Sequence, residues 1–133
     1  MKRLILMAAV AVFMSGCVAK FNQQQAGLPP MDHKATVAAY SKSSFFDPYS
    51  LRDVQISDAV RGVLFYQSGY LVCVECNGKN RMGGYTGIHR TAVLIRDDRV
   101  ITYLNNDSRC FTPMFALHPW PEMEMAGNNT KEN

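Results

Sequence analysis

The run GYLVCVEC at residues 69–76 constrains this chain more than any other stretch, because its β-branched and aromatic content marks a β-strand that carries two cysteines. Successive strand side chains point to opposite faces, and residues three apart are separated by about 10 Å. Cys73 and Cys76 therefore face different layers and lie beyond disulfide reach of each other. Glu75 likewise faces the side opposite Cys76. The alternating pattern starts earlier, with Val54 and Ile56 and then residues 60–66, and Gln67-Ser68-Gly69 is the expected hairpin joint before the strand at 70–76. Two further β-rich runs, residues 89–96 and 99–104, flank Asp97-Asp98 as a second hairpin. Ahead of the strands, Asp32 is a plausible N-cap for a helix reaching about Ser43. Ala35, Ala38, Ala39 and Lys42 sit there at helical spacing, with Val37 and Tyr40 beside them. Pro48 disfavours helical backbone at Asp47, so that helix stops before Asp47-Pro48-Tyr49-Ser50. The expectation is an α+β domain over residues 32–118, one N-terminal helix packed on a small antiparallel sheet of four to five strands. The proline-, acid- and amide-rich residues 119–133 read as a disordered tail.

The N-terminus has the build of a targeting segment. Lys2 and Arg3 precede an apolar run over residues 4–13 that is too short for a stable transmembrane helix. It ends in Met14-Ser15-Gly16-Cys17, which resembles the bacterial lipobox with methionine in place of the usual leucine. The resemblance implies a signal peptide over residues 1–16 and lipidation of Cys17, whose sulfur is the nucleophile a thioether to diacylglycerol requires. Acyl chains contribute about 0.8 kcal/mol per buried CH₂, enough together for durable membrane anchoring. Val18 rather than aspartate after the cysteine resembles the sorting pattern that favours the outer membrane, with the domain in the periplasm or at the cell surface. Residues 17–31, glutamine-rich and ending near Pro29-Pro30, read as a flexible tether.

Charge narrows the partners. Loss of residues 1–16 removes Lys2 and Arg3, so the 14 basic side chains fall to 12 against 11 acidic ones. A near-neutral domain lacks the basic excess that phosphate contacts need, which argues against nucleic acid. With Cys17 committed to lipid, Cys73, Cys76 and Cys110 remain in an oxidising compartment. One bridge from the strand to Cys110 is expected. A zinc site lacks a fourth ligand at regular spacing, since only the scattered His33, His89 and His118 are on offer, and no cofactor motif is present.

The loop between the two hairpins carries a second resemblance. Asp47, Pro48 and Ser50, followed in order by Cys73, Asn77, Lys79, Asn80, Gly83, Gly84, Tyr85 and Gly87, resemble a family of small bacterial secreted proteins and lipoproteins. Its pattern is a helix ending in a D-P-x-S turn and then a strand reading roughly V-C-G-x-V-N-A-K-N-x-x-G-G-Y-x-G. The match covers approximately residues 34–104. The family carries no established activity and implies an envelope location. Val74 and Cys76 depart from its pattern, which points to Cys73 as the partner of Cys110 and leaves Cys76 a free thiol.

Two roles compete for the loop. Asn77-Gly78 and Gly83-Gly84 supply the backbone freedom of a compact turn, with Tyr85 capping the core. Alternatively Asn77, Lys79, Asn80, Tyr85 and Arg90 line a small polar site for an anion or glycan, joined by Arg81. Catalytic pairings such as Cys76 with His89 or Glu75 with Lys79 stand without a supporting motif. The leading expectation is thus a membrane-anchored, non-catalytic envelope module that binds a protein partner or a small polar ligand. The alternatives are a small periplasmic hydrolase or cell-wall-modifying enzyme using residues 77–90, and a mobile-element lipoprotein that blocks a surface receptor.

Overall fold

The structure, a computed structural model, describes residues 26–44 and 50–125. Cys17, the signal peptide, most of the tether, Asp47-Pro48-Tyr49 and residues 126–133 lie outside the described residues. Helix α1 runs His33–Ser44 and is followed by strands β1 (Arg52–Ser57), β2 (Val60–Leu64), β3 (Gln67–Lys79), β4 (Tyr85–Arg96) and β5 (Arg99–Asn105). Two short 3₁₀ turns, Ser108–Phe111 and Pro113–Phe115, lead to β6 (Leu117–Pro119) and a five-residue helix α2 (Pro121–Met125). The α+β class and antiparallel pairing are as the sequence predicts. The sheet has six strands rather than four or five, however, and a second helix joins the first.

Strand order is β5-β4-β3-β1-β6, with β2 sharing with β1 the edge of β3 that β4 does not occupy. The long strand β3 is the spine because its residues 70–75 are buried in sequence, the pattern of a strand covered on both faces. Val72 and Val74 face α1 and α2, and join Val37, Val54, Ile56, Val93, Ile95, Trp120 and Met123 in one apolar cluster. Leu71 and Cys73 face the 3₁₀ turns, in a second cluster with Ala92, Leu94, Cys110 and Phe115. Where β1 gives way to β2, the Cys73 amide has no strand opposite it. The buried Ser57 hydroxyl accepts that hydrogen bond at 2.8 Å.

Cys73 and Cys110 form the disulfide with Cα atoms 5.5 Å apart, and Cys76 is free. The bridge pins the 3₁₀ segment onto the sheet. Glu75, 6 % exposed, completes the clamp by pairing with Arg90 directly opposite on β4. Arg90 in turn donates to the Cys110 carbonyl at 3.1 Å and lies over the Phe111 ring. Asp32 caps α1, accepting from the Ala35 amide at 2.9 Å.

Three boundaries differ from the sequence reading. The β2–β3 turn is Phe65-Tyr66 rather than residues 67–69, since Leu64 pairs with Gln67 and both turn residues take positive φ, 48° and 63°. Gly69 is a strand residue, required because an added Cβ would sit 2.5 Å from the Ile95 carbonyl oxygen. At the C-terminal end, order continues beyond residue 118. Trp120 is 4 % exposed, its amide donates to the Val54 carbonyl, and Glu124 accepts from the Val54 amide, so residues 119–125 complete the sheet edge. At the N-terminal end, residues 26–31 are docked rather than loose: Ala26 is fully buried and the Met31 amide donates to Asp98 at 3.0 Å.

Candidate functional site

On the helix-facing side, the C-terminal part of α1 stands over strands β3, β4 and β5 and leaves a two-part cleft. The inner part, about 220 Å³, is walled by Val37, Tyr40 and Ser41 of α1, by Val74 and Val93 of the sheet, and by Tyr103 of β5. Tyr40 and Tyr103 meet across it with ring centroids 6.1 Å apart. The outer part, about 510 Å³, opens toward the β3–β4 loop past Lys79, Thr86, His89 and Asn106. Ser44, Cys76, Thr91 and Asn105 border both. These residues meet because alternation puts Cys76 on the helix face of β3 and His89 and Thr91 on the same face of β4, with Cys76 and His89 directly opposite in register. Thr91 and Asn105 are hydrogen-bonded across β4 and β5 at 2.9 Å, which fixes the rim between the two parts. An apolar inner end and a polar mouth of this size suit a small molecule.

The expected ligand residues divide. Lys79 lines the outer cleft, with its Nζ 5.4 Å from the Tyr85 ring centroid, and Tyr85 also carries the Arg52 guanidinium at 4.3 Å. Asn80 is engaged in the loop: its Oδ1 accepts from the Met82 and Gly84 amides at 3.0 and 3.1 Å, closing the turn that brings Gly83 to φ 82°. Asn77 accepts from the Gly87 amide at 3.0 Å, where φ is 97°. Arg90 lies on the opposite face, committed to Glu75 and Cys110. Thr91, Asn105 and Ser44 were not singled out from sequence, because no local pattern marks residues that become neighbours only through strand pairing and the helix above them.

Burial first, and then the neighbouring Glu75 charge, push the Cys76 thiol above its ordinary pKa. That shift is opposite in direction to the one that activates a cysteine nucleophile. Among the described residues no group of three or more His, Cys, Asp or Glu side chains is placed to hold a metal ion. No described helix is long and apolar enough to cross a membrane. Comparison with family models, with curated proteins and with solved structures finds no match for this chain.

Proposed function

We propose that this chain is a bacterial envelope lipoprotein, anchored through lipid on Cys17, whose domain is a non-catalytic module that binds a small polar ligand in the cleft between α1 and the sheet. The observation that carries the binding reading is the cleft itself: a mouth of about 510 Å³ bearing Lys79, His89, Thr86 and Asn106, continuous with an apolar end under Tyr40. A cation and several hydrogen-bonding groups above an apolar recess fit an anionic or hydroxylated molecule carrying a short apolar part. The anchor rests on the charged, apolar and Cys17-terminated leader, with outer-membrane placement supported by Val18.

The test has two arms. Fractionation of cells should find the wild-type protein with membranes and C17A released, and a C17A protein that still partitions with membranes after normal processing refutes the anchor. For the cleft, amide chemical shifts of the isotope-labelled protein are followed while cell-wall saccharide and acidic peptide fragments are titrated in. Shifts should cluster at Cys76, Lys79, His89 and Thr91, and T91W should abolish them. Shifts confined to other surfaces, or unchanged by T91W, refute the cleft as the binding site.

The hydrolase alternative draws on one observation, that Cys76 and His89 are opposite each other in one cleft. The upward shift of the thiol argues against it.

A further inference from the structure

The β2–β3 turn places two aromatic side chains where chain and solvent both disfavour them. Leu64 pairs with Gln67, so Phe65 and Tyr66 alone make the turn, with φ of 48° and 63°. Such two-residue turns ordinarily use asparagine, aspartate or glycine, because a bulky side chain in the left-handed region is strained. Phe65 is 56 % exposed and Tyr66 entirely so, and neither ring contributes to either core cluster. Strained backbone holding exposed aromatic rings is a feature to be explained by what the rings touch.

The register shows what else lies at this end of the sheet. Tyr70 pairs with Ile95, so the Phe65-Tyr66 turn and the Asp97-Asp98 turn are side by side, tied by Arg96 donating to the Ser68 carbonyl at 3.4 Å. The first described residues of the chain dock at the same place. Gly27 lies against Asp97, and the Met31 amide donates to Asp98, while Leu28 and Met31 are 84 % and 93 % exposed. Four large apolar side chains thus project from one end of the domain. Ala26 is nine residues from Cys17, a span of at most about 30 Å fully extended. A lipid on Cys17 therefore tethers the domain at this end, within that distance of the bilayer surface.

We infer that this end of the sheet is a membrane-contacting face, with Phe65 and Tyr66 inserted into the interfacial layer of a phospholipid bilayer and Leu28 and Met31 beside them. The inference rests on the lipoprotein reading and adds to it an orientation. Aromatic rings with an apolar body, and in tyrosine a polar tip, favour the headgroup layer. Arg96 and Arg99 are matched here by Asp97 and Asp98, so the contact is apolar rather than a basic patch attracted to anionic lipid. The cleft mouth, beside Lys79 and Thr86 at the far end of β3 and β4, then opens away from the membrane.

The experiment uses the full lipidated chain, extracted from membranes and reconstituted in phosphatidylethanolamine–phosphatidylglycerol vesicles with and without acyl chains brominated to quench tryptophan. Y66W and F65W report on the turn, I88W on the exposed far end of β4, and wild type gives the common background of buried Trp120. Y66W and F65W should be quenched several-fold more than I88W, with blue-shifted emission that added salt does not reverse. The use of two turn variants covers the case in which one misfolds. Quenching of the turn variants no greater than that of I88W, in protein whose intact mass carries the lipid, overturns the orientation alone and indicates a turn free for a protein partner. An intact mass without lipid on Cys17 overturns the lipoprotein reading, and this inference with it.

Discussion

Replacing Phe65-Tyr66 by Asn-Gly should stabilise the domain, although it deletes two aromatic residues. Each non-glycine residue in the left-handed region costs about 1–2 kcal/mol, so relief at both positions is about 2–4 kcal/mol. Glycine returns about 0.5–1 kcal/mol through the freedom it adds to the unfolded chain. Tyr66 is fully exposed and loses no burial, whereas Phe65, 56 % exposed, gives up on the order of 1 kcal/mol of partial burial. The balance is a gain centred on about 1 kcal/mol and at most about 2.5 kcal/mol. For a domain of this size each kcal/mol moves the Tm by about 4–8 °C. Calorimetry of F65N/Y66G beside wild type reads this directly, and a urea titration with unchanged slope guards against an altered unfolded state. A Tm equal to or below that of wild type would refute the claim that the turn is strained. The Asp97-Asp98 turn is an internal control, because it has the same two-residue geometry but carries residues that tolerate positive φ. The equivalent D97N/D98G change should therefore gain much less.

Four further outcomes follow from the packing. Removing the disulfide as C73A/C110A frees a 37-residue separation and should cost about 4 kcal/mol by chemical denaturation, with a loss under about 1 kcal/mol contradicting it. G69A forces a Cβ to 2.5 Å from the Ile95 carbonyl oxygen and should destabilise by about 1–3 kcal/mol, visible as a lowered Tm. The Arg109 guanidinium hydrogen-bonded to Asp107 holds that carboxyl below its ordinary pKa, while Arg109 also donates to the Val63 carbonyl at 2.8 Å. Because the folded value lies below the unfolded one of about 3.9, this stabilisation is complete above about pH 5 and is lost as the pH falls through the folded value. D107N should flatten the acid limb of a Tm–pH curve, and an unchanged limb would dismiss the pair. Cys76, pushed up by burial and Glu75, should alkylate with iodoacetamide at neutral pH more slowly than a fully exposed cysteine in a short peptide, and faster alkylation would revive the nucleophile reading.

The centre of the fold was legible because its rules are local. β-Branched and aromatic content marked β3 and β4, Asp32 marked the start of α1, and strand geometry separated Cys73 from Cys76, as the disulfide to Cys110 bears out. The edges were not, because what orders them is distant in sequence. Leu117–Pro119 is a strand only by pairing with β1, and the proline- and acid-rich residues after it are held by Trp120 in the core and Glu124 on the Val54 amide. Phe65-Tyr66 reads as strand because nothing in the dipeptide carries turn chemistry. The cleft was half legible: Lys79 stood out as a loop cation, but Thr91, Asn105 and Ser44 acquire their place from pairing and from the helix above the sheet. Asn77 and Asn80 looked like ligand residues for the same reason that they serve the loop, since an amide side chain that satisfies turn amides is the type a binding site would also use.

The distribution of devices along β3 separates stability from function. Its middle is reinforced by the disulfide at Cys73, the Ser57 hydroxyl on the Cys73 amide, and the Glu75–Arg90 pair gripping the 3₁₀ segment. Glu75 is buried, and its charge is satisfied by Arg90 and by the Gln55 amide at 3.0 Å. It is therefore engaged in structure on the face opposite Cys76, rather than available as a general base in the cleft. Each end, by contrast, presents side chains outside the core clusters: Phe65 and Tyr66 before β3, and Lys79, Thr86 and His89 lining the cleft mouth around its far end. A sheet braced in the middle and equipped at both ends suits a domain that sits on a surface and offers its opposite end to a ligand. If the turn aromatics and the cleft residues are separate devices, F65N/Y66G and T91W should each remove one activity and leave the other intact, because the braced centre of β3 lies between them.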